Sequence, residues 1–138
     1  MENSMSQAII FDTSIWIEFI QRKNTQKALL LREYILMNKS IWITPTILQE
    51  VLQGSRNNQE FERLKNSLLG YRCLLINPID AAIASAQLYS SLRQKGVTIR
   101  KPNDCLIASY AIHFNVEICH NDSDFDLIAQ NSNLKITP

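Results

Sequence analysis

The stretch QAIIFDTSIWIEFI, residues 7–20, decides the fold. It begins with an apolar run through Ile9, Ile10 and Phe11 that shows no polar alternation, which predicts a strand over 7–11 buried on both faces. Asp12-Thr13-Ser14 then supplies side-chain oxygens suited to a helix N-cap, and Ile15, Trp16, Phe19 and Ile20 recur at helical spacing. Strand, turn and helix follow one another directly.

Outward from there the same alternation continues. Residues 29–37 read as a second helix, 41–43 as a strand, and Thr44-Pro45 as the cap and first-turn proline of a helix that Gly54 closes at its C′ position. A helix through Phe61, Leu64 and Leu68 precedes a strand over 72–76. Residues 79–95 form a long amphipathic helix closed by Gly96, and Pro102 opens another with Leu106, Ile107, Tyr110 and Ala111 on its face. Residues 116–119 predict a fourth strand, Asp122 starts a short helix through Phe125, Leu127 and Ile128, and 134–136 predict a fifth strand. Short apolar strands alternating with helices indicate an α/β fold with a mainly parallel sheet covered on both faces. Trp42, between two isoleucines inside a strand, reads as core.

At 138 residues and 46% apolar content the chain has material for one packed core, so residues 1–138 read as one domain. Three glycines and four prolines exclude collagen-like and linker-rich architectures. A formal charge of +1 argues against holding nucleic acid by bulk positive charge alone. The charge is unevenly spread, with thirteen basic and eight acidic residues over 1–101 and one basic against five acidic over 102–138. The opening MENSMSQAII has neither a basic nor an apolar leader region, and no apolar run approaches the roughly 18 residues that span a bilayer, so a cytoplasmic protein without a membrane segment is expected. Cys73, Cys105 and Cys119 are odd in number and lack metal-ligand spacing, which fits reduced thiols.

Parallel sheets bind ligands beyond the carboxyl ends of their strands. Asp12 follows the first strand, Asp122 and Asp124 follow the fourth, and Asp104 lies in the first turn of the helix that feeds the fourth. Glu50 stands three residues after Ile47, close to the apolar face of its helix. Singly, these acids serve as N-caps, dipole partners or surface residues. Together, carboxylates converging without matched bases repel one another, and a hard divalent cation relieves that repulsion. An all-oxygen ligand set points to Mg²⁺ or Mn²⁺. No glycine-rich phosphate loop of the G-x-x-x-x-G-K-[ST] or G-x-G-x-x-G type follows a strand, and only His113 and His120 are present, so nucleotide hydrolysis and histidine-pair ribonuclease chemistry are disfavoured. In-line attack of water on a phosphodiester, with one ion or more holding the reacting oxygens, fits the acids best.

These motifs resemble a PIN domain, and closely the ribonuclease toxins of VapBC-type toxin–antitoxin pairs. The resemblance rests on Asp12-Thr13-Ser14 with Trp16 and Glu18 behind it, on Thr44-Pro45 leading to Glu50-Val51, on Lys101 to Ala108, and on Asn121 to Phe125. It implies a three-layer fold with a five-stranded parallel sheet and the first strand central. By the same likeness Asp12, Glu50, Asp104 and Asp122 form the metal site, Asp124 assists, and the hydroxyl of Thr13 or Ser14 helps organise it. The family often has threonine where this chain has His120, so that hydroxyl is absent and His120 stays outside the expected metal set. The likeness further implies a homodimer, a cognate antitoxin, and a structured RNA substrate, often a transfer RNA, cut to leave a 3′ hydroxyl and a 5′ phosphate. Arg93, Lys95, Arg100 and Lys101 stand ready for phosphates or, for the first two, complement a helix C-terminus. Trp16 and Phe19 border a groove suited to an antitoxin helix, or belong to the core.

The chief rival is a non-catalytic PIN-like binding module, against which the intact acids argue. A receiver-type phosphoacceptor would need an acidic pair after the first strand and a lysine after the last, and a D-x-D phosphatase would need an acid where Ser14 stands.

Overall fold

The computed structural model describes residues 7–138; residues 1–6, part of the opening stretch read above for a leader, lie outside the described residues. The elements are β1 (Ile9–Phe11), α1 (Thr13–Ile20), α2 (Gln26–Leu36), β2 (Ile41–Ile43), α3 (Pro45–Gln53), α4 (Asn58–Leu68), β3 (Arg72–Cys73), α5 (Pro78–Gln94), α6 (Pro102–His113), β4 (Glu117–Cys119), α7 (Ser123–Gln130) and β5 (Lys135–Ile136). The five strands form one sheet in the order β3-β2-β1-β4-β5 with every pairing parallel, so β1 is central as expected. From β1 the chain steps outward to β2 and β3, then returns across β1 to lay down β4 and β5. Right-handed crossovers therefore put α1 to α4 on one face and α5 to α7 on the other. Helix packing largely follows that division, with α1 against α2 and α3, α3 against α4, α5 against α6 and α6 against α7, while α3 also meets α6 across it. β1 and β4 flank the point where strand order reverses, the usual position of a ligand crevice.

The core explains why the strands show no alternation. Ile10, Phe11, Ile43 and Ile118 are fully buried, packed with Leu31, Ile47, Ile107, Phe125 and Ile128 from both helical layers. Trp42 is half-buried at the edge of this core, with the Arg72 guanidinium 4.5 Å from its ring centroid. Among the described residues the three cysteines are unpaired, and burial pushes the Cys105 and Cys119 thiols up to about 11. No helix of the described residues is long and apolar enough to cross a membrane.

Several boundaries differ from the sequence reading. The strand expected over 72–76 stops at Cys73, because after the Leu74 N–H bonds the Ile43 carbonyl the chain peels off and Leu75 is 74% exposed. α2 starts at Gln26 rather than residue 29, since the Thr25 hydroxyl accepts the Ala28 N–H as an N-cap. Gly54 ends α3 as its C-cap with φ −84°, not as a left-handed C′ residue. Gly96 does take that role at φ +81°, with the Gly96 and Val97 N–H groups on the Arg93 and Leu92 carbonyls, a Schellman closure of α5. Arg22, Asn38 and Asn115 close α1, α2 and α6 in the same way at φ 61°, 53° and 55°.

Candidate active site

Each acid is placed by the element it terminates or begins. The Asp12 N–H bonds the Cys119 carbonyl at 2.9 Å, tying the end of β1 to the end of β4, while its Oδ2 caps α1 by accepting from Ser14 N at 3.4 Å and Ser14 Oγ at 3.0 Å. Asp122 caps α7, its Oδ1 accepting the Asp124 N–H at 3.0 Å. Pro102 opens α6 and sets Asp104 in its first turn. Asp124 reaches back to the start of that helix and accepts the Lys101 N–H at 3.1 Å. Carboxylate oxygens of Asp104, Asp122 and Asp124 thus lie within 4.8 Å of one another, and all three residues are buried. Oδ2 of Asp104 is buried with no hydrogen-bond partner among the described residues.

Glu50 approaches from α3 and is half-buried. Its Oε1 accepts from Thr13 Oγ1 at 2.6 Å and its Oε2 from Asn103 Nδ2 at 3.4 Å. The two hydroxyls considered from sequence therefore divide the work, Ser14 on Asp12 and Thr13 on Glu50. Asp124, expected only to assist, belongs to the tight group, whereas Glu50 is held beside it by those two bonds. Asn103 was missed from sequence; it contacts a residue 53 positions away, a pairing that no local pattern displays.

The electrostatics follow from this crowding. Burial, then the negative charges of Asp12 and Asp122, push the Asp104 carboxyl up to about 8. Burial also raises Asp12, against hydrogen bonds from Ser14 and Thr13 that lower it. Burial acts in the same direction on Asp122, but the Lys101 ammonium, the Asp124 N–H and Arg100 outweigh it and hold that carboxyl below its ordinary value. Lys101 Nζ stands 2.6 Å from Asp122 Oδ2 and Arg100 Nη2 3.8 Å from its Oδ1. This corrects the expectation of acids without matched bases: anchoring of the Lys101 N–H by Asp124 turns the lysine side chain onto Asp122. Arg93 and Lys95 are engaged elsewhere, Arg93 near the Tyr89 ring and Lys95 on the Asn131 carbonyl.

The loop after β4 is clamped from several sides. Buried His120 accepts the Asp122 N–H on Nδ1, and its carbonyl accepts from Lys27 of α2. Asn121 Nδ2 donates to Glu18 Oε2 at 2.9 Å, and Glu18 Oε1 accepts from Thr25 Oγ1 at 2.6 Å. His113, by contrast, is exposed on α6.

A second concavity lies away from the acids. A groove of about 670 Å³ runs between α1, α2 and α4, floored by Trp16, Phe19, Ile20, Leu64, Leu68 and Tyr71 and bordered by Arg22, Lys23, Arg32 and Arg63. Trp16 belongs to the core and to this floor at once, meeting Tyr71 at 5.6 Å and Phe19 edge-on at 6.3 Å between ring centroids.

Comparison with known proteins settles the family. The model of the PIN domain matches residues 9–131. The chain belongs to the PIN family. Ribonuclease VapC11 of Mycobacterium tuberculosis is 32% identical over 128 residues, covering 92% of this chain and 96% of that protein. VapC ribonuclease Mb1587 of Mycobacterium bovis matches at the same identity and extent. Among solved structures, VapBC-1 from nontypeable Haemophilus influenzae superposes with a TM-score of 0.71 at 21% identity, covering 95% of this chain and 97% of that one. VapBC2 from Rickettsia felis bound to a promoter DNA fragment gives 0.70 at 21% identity, with 95% and 98% covered. The five-stranded parallel PIN fold expected from the sequence is therefore the fold of this chain, with its acids at the reversal point of the sheet.

Proposed function

We propose that the chain is a single PIN domain acting in the cytoplasm as a metal-dependent endoribonuclease, the toxin of a toxin–antitoxin pair. The observation that carries the chemistry is the buried Asp104 Oδ2 without a hydrogen-bond partner, on a carboxylate clustered with those of Asp122 and Asp124. An aspartate whose carboxyl is pushed up to about 8 by burial and like charges is poised for a cation, and an all-oxygen donor set suits Mg²⁺ or Mn²⁺. Asp12, Glu50, Asp104 and Asp122 would hold it, with Asp124 in the same cluster. Once bound, the ion neutralises these acids and supplies Lewis acidity toward a phosphodiester.

The remaining chemistry belongs to the chain itself. Ser14 and Thr13 orient the Asp12 and Glu50 carboxylates, and Asn103 restrains Glu50 from the opposite side. Asp124 fixes the backbone of Lys101. Lys101 and Arg100, both largely exposed and resting on Asp122, are placed to exchange that carboxylate for an RNA phosphate. The chain carries no base-reading module in its sequence, so a structured RNA, such as a transfer RNA, is read by shape. Cutting leaves a 3′ hydroxyl and a 5′ phosphate.

Two surfaces serve partners. The groove between α1, α2 and α4 fits an antitoxin segment with apolar anchors flanked by acidic residues, matching its apolar floor and cationic border. Leu75 before α5 and Ile79 and Ile83 in its first half are 74%, 71% and 51% exposed, a face suited to the homodimer. A non-catalytic module would not need to retain a buried carboxylate oxygen without a hydrogen-bond partner.

The decisive assay uses protein freed of antitoxin and a structured RNA. Cleavage in Mg²⁺ or Mn²⁺ should stop in EDTA, and Asp104→Asn should stay folded while losing activity. Undiminished cleavage in chelator, or wild-type rates from Asp104→Asn, would refute the site.

A further inference from the structure

We propose that His120 is a positioning residue: it fixes Asp122 for the cation by supplying the reciprocal half of the α7 helix cap, the acceptor for the Asp122 N–H. The inference rests on the metal-site reading above. In a capping box the side chain at N3 reaches back to accept the N–H of the N-cap residue. Here the N-cap is Asp122 and N3 is Phe125, which offers no oxygen. Nδ1 of His120, two residues before the cap, accepts the Asp122 N–H at 3.0 Å in its place.

That bond dictates the state of the ring. A nitrogen accepting an N–H presents a lone pair, so in the neutral ring the proton resides on Nε2, which donates to Asp126 Oδ1 at 3.1 Å. His120 is 3% exposed and its ring lies against Phe125 with centroids 5.2 Å apart, so packing holds its orientation. Asp126, His120 and the Asp122 amide thereby form one chain running from the exposed side of α7 to the backbone of a proposed ligand. The other groups on the Asp122 carboxylate besides the Asp124 N–H are Lys101 and Arg100, whose side chains are 57% and 73% exposed and free to move. The rigid anchors are the Asp124 N–H on the carboxylate and the histidine on the backbone amide.

Three variants and three readouts test this. His120→Asn puts an amide oxygen near the place of Nδ1 and keeps the acceptor, His120→Leu keeps the bulk and loses it, and Asp126→Ala removes only the exposed partner of the ring. In ¹⁵N-histidine NMR in EDTA, at a pH where the ring is neutral, wild-type His120 should show the Nε2–H tautomer. By calorimetric titration with Mn²⁺, the dissociation constant should rise about 10- to 100-fold in His120→Leu, as expected when an outer partner of a ligand is removed, and stay within about threefold in His120→Asn. Asp126→Ala should weaken Mn²⁺ measurably, in the same direction as His120→Leu, and it decides the matter should His120→Leu fail to fold. An Nδ1–H tautomer overturns the proposal whatever the metal does. So does unchanged Mn²⁺ affinity in His120→Leu with only a lower melting temperature, the mark of a packing role. Wild-type protein that binds no Mn²⁺ removes the metal-site reading and this proposal together, whereas wild-type binding with unaffected variants removes the proposal alone.

Discussion

Asp104 sits where a negative charge is poorly tolerated until something cancels it. Its carboxyl is pushed up to about 8 by burial first and by Asp12 and Asp122 next, while an aspartate in an unfolded chain titrates near about 4. Below both values the two states are equally protonated and the residue has no effect on stability. As pH climbs from about 4 toward 8 the unfolded chain releases its proton and the native chain retains it, so the apo fold loses stability until both are ionised. Asp122 is shifted the opposite way, but its window lies at or below the ordinary aspartate range and leaves this interval alone. Urea unfolding in EDTA should therefore show stability falling across that interval, with a shallower fall in Asp104→Asn. Mg²⁺ at about 100 times its dissociation constant should add about 2.7 kcal/mol to the wild type, and much less to the variant. Equal pH slopes in the two proteins would show that Asp104 does not carry the raised carboxyl.

Helix ends show which parts of the fold were legible and which were not. Gly54 and Gly96 carry the same C-terminal signal in sequence, yet only Gly96 is left-handed. Gly96→Ala should destabilise by about 1–2 kcal/mol, the penalty for a Cβ in that region. Gly54→Ala, at φ −84° and with no contact of an added Cβ closer than 3.4 Å, should be neutral or gain up to about 1 kcal/mol through the unfolded chain. Denaturant midpoints measure both, and equal losses would contradict the backbone assignment. The other left-handed closures, at Arg22, Asn38 and Asn115, were not anticipated, because asparagine is a weaker signal than glycine and arginine is none. Strand and helix order was readable because the central strands β1, β2 and β4 lie in short, largely buried apolar runs with a capping residue close behind. The acids after β1 and β4 were readable for the same reason. Invisible to any window were the pairs that cross between elements, Glu50 with Asn103 and Lys27 with His120, which meet across 53 and 93 residues.

Across the whole molecule, charge is sorted between two separate surfaces. Carboxylates gather beyond β1 and β4, while Arg22, Lys23, Arg32 and Arg63 edge the groove between α1, α2 and α4. A near-neutral total therefore conceals a cationic groove edge, and a surface of that sign speeds encounter with an acidic partner in a salt-dependent way. Arg63 already leans on Glu60 at 3.5 Å, so reversal of Arg22 and Arg32 is the cleaner probe of that surface. A double Arg22→Glu, Arg32→Glu variant should still cleave RNA, since neither residue touches the acids. It should need about tenfold more antitoxin for half-inhibition at low salt, with the difference from wild type shrinking as salt screens the charges. Leu64→Ala, which opens the apolar floor, should weaken inhibition at all salt concentrations, because burial of apolar surface is indifferent to screening. Inhibition of both variants at wild-type antitoxin concentrations would place the antitoxin on a different surface, and loss of cleavage in the double variant without antitoxin would assign those arginines to RNA instead.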